Sequence, residues 1–337
     1  MLDVLTTLVL VAHLLCVNVA AGGPILCVWL EWRGGALARG AASYLATLSL
    51  AGLVAGGLLG FAVGWLKWTP EYRALWTGPL SYKLHWGGAE LLFSVLLALG
   101  YWLLVRGRGG ESPRARIGRG TLALLNGTNL LYHFPALFIV AGKLHAAGQD
   151  AGARIDGAAF RQLMVGQETP ALTVHVGLAS IAVAGAALLG LALRSMRRSD
   201  HANPFAPVAT WGGRWALAAS LAQLPVGLWT LVMLPADAQS RLLGSDALST
   251  SLFLLSMLSA LWLVRELAGV ALGETDRAAL VRSLAAMIVV VSLMTAMQQQ
   301  TRRPLKALTS GQGATQDDHR AARDFWSVIH PDQWSGL

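Results

Sequence analysis

The sequence predicts an all-α fold, a polytopic bundle of about eight transmembrane helices, and three observations predict it. Of the 337 residues 55% are hydrophobic and only 13% charged, with mean hydropathy +0.53, where a soluble domain carries about a quarter charged residues. Eight apolar stretches each reach the about 20 residues that a helix needs to cross a bilayer. Arginines gather between alternate stretches, as topology signals do. The net charge of +8 therefore does not imply nucleic acid, and no separate soluble domain fits.

The expected spans are 4–30, 42–67, 83–106, 118–143, 170–195, 208–234, 246–265 and 278–299. The first lacks a basic n-region and exceeds the usual h-region of a secretory signal, so it reads as a retained helix. Cys16 and Cys27 both lie on it, about three turns apart, and cannot pair within one helix. Arg33 and Arg39 follow span one, Arg106, Arg108, Arg114, Arg116 and Arg119 follow span three, and Arg194, Arg197 and Arg198 follow span five. All three segments fall on one side of an eight-span chain. The segments after spans two, four and six carry Glu71, Asp150, Asp156, Glu168, Asp237 and Asp246. The positive-inside rule then expects both termini outside, in a bacterial-type inner (cytoplasmic) membrane. Trp29, Trp32, Trp65, Trp68, Trp86 and Trp211 suit an interfacial belt. Residues 1–300 form the helix bundle, and 301–337 a polar tail expected on the outer face.

Ionisable groups inside a membrane are costly and mark functional sites. His13, His85, His133 and His175 lie on four different spans, and Glu90 joins them. The topology puts all five in the outer half of the membrane, a clustering that hydropathy does not require. Imidazoles on facing helices of a bundle are a common way to hold heme iron. No Cys-x-x-Cys-His motif occurs, so a heme held here is bound without thioether bonds. Met257 sits at the same depth on span seven, and a thioether is an accepted axial ligand opposite histidine. Taken singly, each histidine also has a bland reading as a group hydrogen-bonded to a neighbouring helix. Methionine in an apolar helix is mostly core. Gly52, Gly56, Gly57, Gly60 and Gly64 along span two read as close helix packing. Pro24, Pro135 and Pro225 lie within spans, where a kink frees backbone carbonyls.

Short matches in order along nearly the whole chain resemble subunit I of the cytochrome bd quinol oxidases. The first helix carries Ala12-His13-Leu14-Leu15 and then Val17-Asn18-Val19-Ala20-Ala21-Gly22. Gly78-Pro79-Leu80 leads to Glu90 as the family's loop leads to a buried glutamate. Gly127-Thr128-Asn129-Leu130, Val174-His175-Val176, Leu255-Ser256-Met257 and Thr301-Arg302-Arg303-Pro304 follow. The resemblance implies His175 and Met257 as the axial pair of one heme b and His13 as an iron ligand at a second site. It also implies Glu90 as a proton-relay group. The departures are specific: the long quinol-binding loop is missing between spans six and seven, Gln299 stands where the family has a glutamate ligand, and Ala98 stands at its second buried glutamate. His133 has no family ligand counterpart and is expected to pair with His13 on one iron.

The leading expectation is a membrane-embedded heme b electron-transfer subunit of a respiratory or other redox complex, holding one or two hemes. Its partners would be other membrane subunits or a c-type cytochrome, with quinone use open. Two other classes stay open: a terminal oxidase reducing oxygen with quinol or cytochrome electrons, and a heme-free transporter or membrane anchor of the same fold.

Overall fold

The computed structural model describes residues 2–107, 112–149, 154–166, 168–196 and 204–301. The expected C-terminal tail beyond Thr301, together with Arg108, Asp150, Arg197 and Arg198, lies outside the described residues. Among these residues there is no strand. The long helices are α1 (Leu2–Arg33), α2 (Gly35–Leu66), α4 (Ser81–Arg106), α5 (Pro113–Ala146), α7 (Thr169–Met196), α8 (Ala206–Met233), α10 (Ala247–Leu272) and α11 (Arg277–Thr301). All eight are long and apolar enough to cross a membrane. Short helices α3 (Pro70–Thr77), α6 (Gly157–Val165) and α9 (Ala236–Ser240) with a π-helical turn (Arg241–Ser245) connect them. These connectors all sit at the bundle end where α1 begins and α11 finishes. It is an integral membrane fold.

Six of the spans agree with the sequence reading to within a few residues, and two extend. Helix α2 begins at Gly35, not near residue 42, because the turn after α1 needs only Gly34 and Gly35, at φ 70° and 84°. A positive φ is open to glycine at no steric cost, so the chain reverses there and Arg39 joins the helix. Helix α10 runs on to Leu272 and carries Arg265 and Glu266 inside it. Glu266 is held by Arg282 of α11, with Nε–Oε2 at 2.8 Å. Pairing lets a carboxylate stay in a helix that hydropathy alone would end.

The packing forms two rings of four helices. In the first, α1 packs on α2, α2 on α4, α4 on α5 and α5 on α1; in the second, α7 packs on α8, α8 on α10, α10 on α11 and α11 on α7. The rings join along α1–α7, with α5–α7 and α1–α11 beside it. Within membranes such contacts depend on van der Waals fit between small residues. A Cβ on Gly52 would lie 2.7 Å from the Cys16 carbonyl, and one on Gly185 would lie 2.7 Å from the Gly212 carbonyl. Those glycines let α1–α2 and α7–α8 approach backbone to backbone. At the end opposite α3, α6 and α9, Arg119 of α5 meets Glu31 of α1 with two contacts of 2.8 Å. Tyr101 of α4 donates to the same carboxylate at 3.3 Å, and all three side chains are buried.

Candidate functional site

Each candidate residue takes its surroundings from the ring it belongs to. His13 lies about 16 Å along α1 from its start at 1.5 Å per residue. Its Nδ1 is 2.8 Å from the Gly56 carbonyl of α2. A carbonyl only accepts, so Nδ1 carries the proton and Nε2 keeps the lone pair. The imidazole lies against Gly60, where a Cβ would come within 2.8 Å of Cε1. Backbone tethering of one ring nitrogen while the other is left basic is the arrangement that metal-bound histidines use. His13 fits an iron ligand.

Glu90 and His133 meet across α4 and α5, with Oε1 and Nε2 3.8 Å apart. Asn129, one turn before His133, donates to the Glu90 carbonyl at 3.2 Å and to Ser94 Oγ at 2.8 Å. The Tyr132 ring stands edge-on to His133 at 4.9 Å. Leu91 and Val95 of α4 and Leu130, Leu131 and Phe134 of α5, from the same stretches of these two helices, belong to one apolar cluster with Ala20 of α1 and Leu53 of α2. The structure thus brings His133 to Glu90, and brings His13 to α2. His85 is exposed and its Nδ1 bonds the Ser81 carbonyl of its own helix at 2.7 Å.

In the second ring α7 and α10 are diagonal, so His175 and Met257 come from helices that face one another across the interior. They lie about 9 Å and 15 Å from the starts of their helices. His175 Nδ1 is buried without a hydrogen-bond partner among the described residues, and so are the hydroxyls of Ser256, beside Met257, and Ser220 on α8. Buried polar atoms are normally satisfied; Thr169, Thr230 and Ser283 bring the unsatisfied ones among the described residues of this ring to six, a set that suits a ligand with polar and apolar parts. His175 and Met257, on diagonal helices of one ring, are the residues that would hold a heme there, and the imidazole nitrogen and thioether sulfur are donors suited to its iron.

Gln299 does not fit an iron ligand. Its Oε1 accepts from Lys67 Nζ at 3.3 Å, and a cation at that oxygen opposes a second cation there. Among the described residues no three His, Cys, Asp or Glu side chains gather as they would around a bare metal ion. Lys67, Gln223 and the Glu31–Arg119–Tyr101 cluster were not anticipated from sequence. The signal available was a polar residue within an apolar span, which marks Gln223 and Tyr101 but does not name their partners.

No protein-family model matches the chain, and no curated protein matches it in sequence. Among solved structures, the bd oxidase from Geobacillus thermodenitrificans is similar with a TM-score of 0.73. The match is 14% identical and covers 97% of this chain and 94% of that one. The order and packing of the eight membrane helices are therefore shared along almost the full length of both chains, and this chain has the fold of a bd oxidase chain.

Proposed function

We propose that the chain is a membrane-embedded heme b electron-transfer subunit of a redox complex. The observation that carries this reading is His13: a histidine deep in a membrane helix, fixed through Nδ1 by the Gly56 carbonyl and seated on Gly60, with a basic Nε2 left over. His175 and Met257 would hold a second, low-spin heme b between the diagonal helices α7 and α10. A bound heme supplies a one-electron carrier. The chain's own residues orient the ligands, exclude water with the apolar ring walls, and keep a protonatable pair, Glu90 and His133, in the ring of His13 and one ring away from His175 and Met257. His133 then serves Glu90 and leaves His13 as the sole histidine at its iron.

Electrons would pass to or from partner chains at the end carrying α3, α6 and α9. That end would face outward if the arginine-rich end faces the cytoplasm, and a c-type cytochrome or a second membrane subunit would dock there. The connection from α8 to α10 is only the short α9 and its π-helical turn, so a quinone, if one is used, would have to bind elsewhere than on a long loop there.

The terminal-oxidase reading draws support from Glu90–His133, an acid–base pair at membrane depth, which proton-consuming chemistry needs. Against it stands Gln299, whose oxygen belongs to Lys67.

The test is a reduced-minus-oxidised optical spectrum with heme extraction on the purified complex, for the parent, His175→Ala and His13→Ala. Loss of a distinct heme b signal in each variant is the expected result. Carbon monoxide binding by the reduced parent would move the reading to the oxidase. A colourless parent would end both in favour of the transporter or anchor.

A further inference from the structure

Gln223 lies on α8, two residues before Pro225, and reaches across to α7, where its Nε2 donates to the His175 carbonyl at 3.3 Å. A glutamine in an apolar span is costly unless both ends of its amide are used. The donor end is used, and no hydrogen bond to its Oε1 is present among the described residues. The ring of the same His175 holds a buried Nδ1 with no partner. The two atoms of a carboxamide are roughly 2.3 Å apart by standard bond lengths. An amide bonded to the His175 carbonyl therefore brings its oxygen to the same residue that carries the unpartnered Nδ1. Ser220, one turn earlier on α8, has a buried unpartnered hydroxyl as well, so this stretch of α8 carries a polar face toward the second ring.

We infer that Gln223 is the positioning residue of His175: its Oε1 accepts the Nδ1 proton while its Nε2 holds the main chain, which fixes the tautomer that presents Nε2. This rests on the reading of His175 as a heme ligand. An acceptor on Nδ1–H makes the imidazole a stronger donor, and a stronger donor favours oxidised over reduced iron. Removing the acceptor raises the midpoint potential, and keeping one does not.

The experiment is a spectroelectrochemical titration of the low-spin heme in the purified complex, with heme content measured in parallel, for the parent, Gln223→Leu, Gln223→Ala, Gln223→Glu and His175→Ala. The expected result is loss of the low-spin signal in His175→Ala, a higher midpoint in both Gln223→Leu and Gln223→Ala, and a midpoint at or below that of the parent in Gln223→Glu. A purely structural role for Gln223 would shift all three variants in one direction, and that outcome, or three unchanged midpoints, overturns the inference while leaving the heme reading intact. Retention of the low-spin signal in His175→Ala overturns both. If Gln223→Leu does not assemble, the alanine and glutamate variants decide alone.

Discussion

Gly60 offers a sharp test of the His13 site, because its neighbours on the same helix serve as controls. A Cβ at Gly60 would lie 2.8 Å from His13 Cε1 and 3.2 Å from Nδ1, where carbon atoms normally rest about 3.5–4.0 Å apart. The imidazole must give way by about 1 Å. Overpacking of this kind costs about 1–3 kcal/mol. A ring displaced that far also stretches the 2.8 Å bond to Gly56, a further loss of about 0.5–1.5 kcal/mol. Together these weaken heme at His13 by about 1.5–4.5 kcal/mol, or roughly 10- to 1500-fold at 1.4 kcal/mol per tenfold. Alanine at Gly57 meets nothing within 4 Å. It improves helix propensity by up to about 1 kcal/mol, so Gly57→Ala keeps its heme. The assay is heme-to-protein ratio and reduced spectrum after purification at equal expression. Full heme and an unchanged spectrum in Gly60→Ala, or equal losses in Gly60→Ala and Gly57→Ala, would refute the argument.

Four further outcomes are expected. Glu31→Gln strands the buried Arg119 and costs about 3–5 kcal/mol of stability, whereas the double replacement Glu31→Met with Arg119→Leu stays near the parent; unfolding in detergent reads both. Lys67→Met leaves heme content and spectrum unchanged, because Gln299 then loses a hydrogen bond and not a metal; a changed spectrum would return Gln299 to the ligand set. His133→Gln keeps the parent heme content, since its ring serves Glu90; loss of the His13 heme would instead favour a bis-histidine iron. Asp246 caps α10, and its hydrogen bond from Ser249 holds its carboxyl below the ordinary carboxylate range. The stability it lends is present above the unfolded carboxylate value and fades as pH falls through the lowered one. Asp246→Asn flattens that acid limb in a thermal-stability series against pH.

The spans were legible because hydropathy is a property of each stretch by itself, and the arginine pattern sorted their ends. One missed boundary comes from a glycine turn and the other from an ion pair. Arg39 and Glu266 read as loop residues until the Gly34–Gly35 turn and the Arg282 contact are known. Candidate positions were legible for the same reason the spans were: His13, Glu90, His133 and His175 stand out in apolar surroundings. Their partners were not. Whether His133 meets His13 or Glu90 depends on how α5 is rotated against α1 and α4, and rotation follows from glycine contacts on other faces. The resemblance to bd oxidases anticipated the fold, which short ordered matches can do because each helix keeps its place. It carried less about Gln299, whose neighbour Lys67 comes from a helix more than two hundred residues earlier in the chain.

The residues that hold the bundle together are largely distinct from those that would hold a cofactor. The close contact at Gly185 and the Glu31–Arg119 pair lie away from His13, His175 and Met257, whereas Gly52 shares the α1-facing stripe of α2 with Gly56 and Gly60, on which His13 sits. Membrane helices of this kind associate through such contacts whether or not a ligand is present. Removing a ligand histidine therefore takes away a nitrogen without removing a structural tie, and in the case of His13 only its own bond to Gly56 goes with it. A histidine variant that stays folded and loses one spectral component reports on ligation. A variant at Glu31 that loses everything reports on the scaffold. This separation lets the optical experiment distinguish a cofactor site from a merely buried histidine, because a structural histidine would lower yield and leave the spectrum per heme unchanged.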